Sequence, residues 1–200
     1  GSPPQTAVAP LYKLSPEEVQ MLYARQLQQA LMGDWRSEAN KARDPYRHPA
    51  ETLGFFGITP QSKLIEIWPG GGWYADILAP YTAQQGSYTG ALNNPESQRT
   101  DSSKAYYLKQ NTALREKFAA NEKVFGKAAL VEFDPFNPVF GPDGSADAVL
   151  TFRNVHNWRM GKQAEGMFKA FHDVLKPGGT LGVVEHRAAK DVADDDKSGY

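Results

Sequence analysis

From Leu64 onward the chain repeats one pattern: a short apolar run, a turn signal, then a stretch with apolar residues at helical spacing. Leu64-Ile65-Glu66-Ile67-Trp68 predicts a strand ending at Pro69-Gly70-Gly71-Gly72, and Trp73 to Tyr81 follows with helical periodicity. Gly86 to Leu92 predicts a second strand, Ser103 to Ala120 a helix, and Ala128 to Phe133 a third strand closing on Asp134. The turn Gly141-Pro142-Asp143-Gly144 precedes a fourth apolar run, Ala148 to Phe152. Gly161 to Leu175 is amphipathic, Pro177-Gly178-Gly179 stops it, and Thr180 to Val184 supplies a fifth strand. Strands alternating with helices of this length require a parallel sheet with crossover connections. The expected fold class is α/β, a doubly wound and mostly parallel sheet.

The first quarter of the chain reads differently. Ser15-Pro16-Glu17-Glu18 combines an N-cap serine, proline at the first helical position and glutamate at the third, so a helix is predicted from there to about Met32. Arg36 to His48 is densely charged with prolines close by and reads as a connector; Ala50 to Phe56 is a short helix stopped by Gly57. Three segments follow: a flexible tract over residues 1–14, a helical extension over 15–57, and an α/β core over 58–200. Gly1 and Ser2 have the form of a cloning remnant. The Pro- and Ala-rich tract Pro3 to Pro10 is of the kind found between a removed export signal and a folded domain, which leaves a cytoplasmic or a periplasmic location open.

Composition narrows the partners. The 200 residues are 40% apolar, enough for one sizeable core. Net charge is -1, from 22 basic and 23 acidic side chains, so no overall cationic field exists to hold nucleic acid or an anionic membrane; a small molecule is the expected partner. No apolar stretch is long enough to span a bilayer. Cysteine is absent, which excludes disulfides, thiolate metal sites and a cysteine nucleophile. His48, His156, His172 and His186 show no ligand spacing, so no metal is expected, and no G-x-S-x-G nucleophile turn is present.

The turn after the first strand of a doubly wound sheet is where backbone approaches a ligand. A nicotinamide-binding turn would need glycine at position 75 and an acid closing the second strand, where the chain has Ala75 and Leu92. The run Glu66-Ile67-Trp68-Pro69-Gly70-Gly71-Gly72 instead resembles the E-x-G-x-G-x-G motif of class I S-adenosylmethionine-dependent methyltransferases, with Trp68 in place of its first glycine. Pro142 to Leu150 is similar to the family's P-D-G-S-F-D-A-V segment, and Leu175-Lys176-Pro177-Gly178-Gly179 matches its L-K-P-G-G turn. These matches cover about Leu64 to Arg187 and look most like bacterial small-molecule methyltransferases and related uncharacterised members. The resemblance implies a Rossmann-like core that binds S-adenosylmethionine. Gly70, Gly71 and Gly72 would pack on the methionine part, Glu66 would orient the turn's amides, Asp134 would contact adenine and Asn93 the ribose.

Three departures bear on activity. Leu92-Asn93-Asn94 replaces the acid that ordinarily binds the ribose diol; a neutral amide loses a charge-assisted bond, so weak cofactor affinity is expected. Trp68, Pro69, Trp73 and Tyr74 make the turn unusually aromatic, which suits either cation–π contact with a sulfonium or packing under the adjacent helix. The family ordinarily adds a further helix and an antiparallel strand pair after the fifth strand, and the sequence reads as lacking them, so the expectation is either a chain cut short or an open edge that a second copy of the chain covers. Arg153-Asn154-Val155-His156-Asn157-Trp158 follows the fourth strand and is similar to the L-H-H-W segment of small-molecule methyltransferases. His156 is the first candidate for a base, with Arg153 and Asn154 as orienting groups, Asn154 also toward the cofactor. Arg47-His48 and Glu185-His186-Arg187 could converge on the same mouth, with His48 a further catalytic candidate, and an arginine pair there would suit a carboxylate or phosphate. Two functions stand: methyl transfer to a small molecule, or a binding or scaffold protein that keeps the fold without catalysis.

Overall fold

Ser15 caps the first helix as its sequence requires. Its hydroxyl accepts from the Glu18 backbone N–H at 3.1 Å, and the Ser15 N–H donates to the Glu18 carboxylate at 3.2 Å, the reciprocal capping box. The computed structural model describes residues 13–152 and 162–184. Helix α1 is Pro16–Leu31, and the charged stretch expected as a connector holds two one-turn helices, α2 Glu38–Lys41 and α3 Asp44–Arg47, before α4 Pro49–Phe55. The cause is local: Ser37 caps α2 through the Asn40 N–H, and Pro45 and Pro49 sit in first turns, where a missing N–H costs nothing.

The core then alternates. Strand β1 is Lys63–Ile67, α5 Ala75–Thr82, β2 Ser87–Asn93, α6 Asp101–Ala120, α7 Glu122–Phe125, β3 Ala129–Phe133, β4 Ala146–Phe152, α8 Lys162–Val174 and β5 Leu175–Val184. All four strand pairs are parallel, in the order β3-β2-β1-β4-β5. The sheet is doubly wound, and the order reverses between β1 and β4.

Alternation along the strands divides the core into two layers. Leu64, Tyr88, Ala148 and Leu150 join Leu27, Leu53, Leu78, Leu114 and Phe118 on one face; Ile65, Ile67, Ala91 and Val149 join Met167 and Phe171 on the other. The helical extension therefore packs into the first layer.

The last helix ends one residue earlier than its pattern predicts, and β5 begins at once. Leu175 pairs with Ala146 and Thr180 with Ala148, so the Pro177-Gly178-Gly179 turn loops out between two paired positions, with Gly178 at φ 78. Two motif segments meet at this end of the sheet. Asp147 accepts from the Lys63 N–H at 2.8 Å and from Lys176 Nζ at 3.0 Å, tying β4 to both neighbouring strands. These motif residues are structural and lie at the end of the sheet opposite the glycine turn.

Candidate functional site

The carboxyl ends of β1, β2 and β4 open into a cavity of about 620 Å³ at the strand-order reversal. Its floor includes Glu66, Trp68, Pro69, Gly70 and Gly71; Asn93 and Gln98 line one side, and Asn40, Arg43 and Arg47 of the extension form another wall. The aromatic residues Trp68, Trp73 and Tyr74 line this space and leave it open.

The turn is built on left-handed backbone. Trp68, Gly70 and Gly72 have φ of 53, 59 and 89. Glycine takes this conformation freely, whereas a tryptophan there carries strain of about 1–3 kcal/mol. Its side chain is fixed in return: the indole Nε1–H donates to Asn93 Oδ1 at 2.8 Å, and the ring lies 6.0 Å from that of Phe133. The two departures from the family motif, Trp68 for glycine and Asn93 for an acid, are thus hydrogen-bonded to each other. Among the described residues Asn93 Nδ2 has no hydrogen-bond partner.

Lys117 of α6 holds the turn from outside. Its Nζ donates to the Gly71 carbonyl at 3.1 Å and lies 2.9 Å from both carboxylate oxygens of Asp76, which is 1% exposed in the first turn of α5. Burial raises the Asp76 carboxyl above its ordinary range, and Lys117 opposes that shift. A Cβ on Gly72 would come within 3.1 Å of this ammonium and 3.2 Å of Leu114, so Gly72 faces α6, while a Cβ on Gly70 or Gly71 would meet nothing within 4 Å.

Glu66 lines the cavity at 2% exposure, and the Tyr88 hydroxyl donates to its Oε1 at 2.6 Å. Burial pushes its carboxyl up to about 8; the Tyr88 hydrogen bond works against this and the Asp76 charge adds to it. No turn amide donates to Glu66 among the described residues, so its partner is not the one the motif suggested. Asp134 forms an Asx turn, its Oδ1 accepting from the Phe136 N–H at 2.8 Å, and it does not line the cavity, although Pro135 and Phe136 do.

His48 is also outside the cavity. It sits at φ 48 with its side chain 62% exposed, 3.2 Å from Glu51, while its neighbour Arg47 turns inward with its guanidinium 4.6 Å from the centre of the Trp73 ring. Arg153, Asn154 and His156, like His186 and Arg187, lie outside the described residues. Sequence reasoning missed Arg43, Gln98 and Lys117. The first two have no motif signal, and Lys117 reaches the turn from 46 residues away.

No helix among the described residues is long and apolar enough to cross a membrane, and no group of three metal-ligating side chains occurs among them. No protein-family model matches the chain, and no curated protein matches it. Solved structures do. A S-adenosylmethionine-dependent methyltransferase from Aquifex aeolicus is 14% identical with a TM-score of 0.51, the match covering 90% of this chain and 77% of that one. A protein from Pyrococcus horikoshii OT3 is 18% identical with a TM-score of 0.50, covering 80% of this chain and 59% of that one, less than two thirds of its length. The all-parallel sheet with its flanking helices is the Rossmann-like fold of class I S-adenosylmethionine-dependent methyltransferases.

Proposed function

We propose that the cavity binds S-adenosylmethionine and that the chain transfers its methyl group to a small molecule. The observation that carries this reading is the open cradle at Gly70 and Gly71, where a side chain would meet empty space within a cavity of small-molecule size. The donor set fits. Among the described residues Gln98 Nε2 is buried without a partner on the cavity wall and Asn93 Nδ2 has none either, two donors suited to the ring nitrogens and hydroxyl oxygens of a nucleoside. Gly70 and Gly71 would lie against the methionine portion. The bound group supplies a methyl on a sulfonium, open to in-line displacement by a nucleophilic acceptor atom.

What the chain contributes is alignment. Trp68 offers an aromatic face for a sulfonium, worth on the order of 1 kcal/mol. His156 is proposed as the base for an acceptor that loses a proton, with Arg153 and Asn154 orienting it. Because Asn93 Oδ1 already receives the Trp68 indole, the ribose diol meets only a neutral donor, so affinity is expected to be modest.

The test is Gly71→Leu. The backbone at Gly71 is outside the left-handed region and the space above it is open, so leucine fills the cradle without strain. Calorimetry on the full chain should show binding of S-adenosylmethionine or its demethylated product to the wild type and at least a tenfold loss in the variant, with an unchanged melting temperature. Equal binding by both proteins, or none by the wild type at millimolar ligand, would overturn the reading. A second reading, a binding protein without catalysis, is favoured by Trp68 standing on left-handed backbone in a glycine position. Cofactor binding with no release of demethylated product alongside extracts of small metabolites would support it.

A further inference from the structure

We propose that the cavity exchanges a proton for its ligand: a cationic group of the bound molecule, an ammonium or a sulfonium, settles beside Glu66 as the Glu66 carboxyl gives up its proton to solvent. This rests on the cofactor reading above and adds how the site meets the ligand's positive charge. Glu66 is the one acidic side chain among the described residues that line the cavity, and its strand leads directly into the open cradle at Gly70 and Gly71. A ligand cation seated on that cradle has this carboxyl to pair with.

The geometry around Glu66 leaves its charge without support while the cavity holds no cation. The side chain is 2% exposed, and the residues beside it in register are Gly90, which has no side chain, and the apolar Leu150. The Tyr88 hydroxyl donates to Oε1 at 2.6 Å, and among the described residues no ammonium or guanidinium pairs with the carboxyl. Of the titratable groups packed nearby, Asp76 of α5 carries the same sign of charge and is held by Lys117 of α6 at 2.9 Å, while the Tyr74 phenol is pushed above its ordinary range by burial and stays neutral. Arg43 and Arg47 stand on the cavity wall. A carboxylate buried without a cation takes up a proton instead, and burial accordingly pushes this carboxyl up to about 8. With Oε1 receiving the phenol, the proton sits on Oε2, the oxygen left for the cavity.

The exchange balances. On binding, the Oε2–H bond breaks, the proton passes to solvent, and the resulting carboxylate pairs with the incoming cation; no other bond forms or breaks. At neutral pH the bound protein then holds one proton fewer than the free protein. Affinity therefore rises with pH, by up to about tenfold per unit, and levels off above about 8.

Calorimetry on the full chain at pH 7, in two buffers of different ionisation enthalpy, counts the protons. S-adenosylmethionine should release about one. Its demethylated product keeps the ammonium but lacks the sulfonium, so release with both assigns the ammonium, and release with S-adenosylmethionine alone assigns the sulfonium. Adenosine, which carries neither, should release none. From pH 5.5 to 7.5 the affinity for S-adenosylmethionine should rise at least tenfold. In Glu66→Gln, which keeps the shape but cannot ionise, both the release and the pH dependence should vanish. Should that variant fail to fold, Tyr88→Phe serves: without the phenol donor the carboxyl titrates higher, so the pH at which affinity levels off moves up. S-adenosylmethionine binding without proton release, release that persists in Glu66→Gln, or equal release by adenosine overturns the proposal and leaves the cofactor reading standing. Failure of all three ligands to bind sinks both.

Discussion

Glu66 shows how one carboxyl can be both structural and chemical. It is ionised in an unfolded chain above its ordinary value of 4.5, but in the fold it keeps its proton up to about 8. Between those limits the folded state binds one more proton than the unfolded one, so rising pH favours unfolding, by at most about 1.4 kcal/mol per pH unit. The expected outcome is a stability that declines from pH 5 to pH 8 and is flatter in Glu66→Gln, with the variant the more stable protein at pH 8.5. Urea denaturation across that range measures it; a wild-type slope retained in the glutamine variant would assign the titration to another group. The position of Glu66 next to the glycine turn is visible in the sequence, but its partner is not. Tyr88 lies 22 residues on, and it reaches Glu66 only because β1 and β2 are adjacent parallel strands with Glu66 opposite Gly90.

At the scale of elements, Lys117 is the tie between α6, the glycine turn and the first turn of α5. Removing its ammonium leaves the Asp76 carboxylate buried without its partner, a change that costs about 3 kcal/mol. Lys117→Met should be destabilised by that order in urea titration and should bind the demethylated cofactor several-fold more weakly, since the Gly71 carbonyl loses its donor. Adding Asp76→Asn should restore most of the stability, because the uncompensated charge is then gone; no recovery would mean that Lys117 acts by packing alone. The strands are legible in the chain because each is a short apolar run bounded by glycine, proline or aspartate, and α1 because its cap is written in four consecutive residues. The helices α2 and α3 are not, since one-turn helices rest on a single cap or proline and carry no periodicity to detect. The same blindness hid Arg43, which becomes a cavity residue only through α3.

For the molecule as a whole, the helical extension and the α/β core prove to be one packing unit. Leu27, Ala30 and Leu53 of the extension share a cluster with Leu64, Leu78 and Leu150 of the core, and the cavity itself is walled by both. The site therefore exists only while the extension is seated. Leu53 is 1% exposed at that seam, so Leu53→Ala should cost about 2–5 kcal/mol and lower the stability of both parts together. Tryptophan fluorescence, to which Trp35 in the extension, Trp68 and Trp73 at the turn and Trp158 all contribute, should then follow the same single transition as far-ultraviolet circular dichroism, before and after the substitution. Two separated transitions would mean that the extension unfolds by itself. In the cooperative case any ligand that fills the cavity bridges the seam, so it should raise the melting temperature of Leu53→Ala as it does that of the wild type, by an increment set by its concentration relative to its dissociation constant.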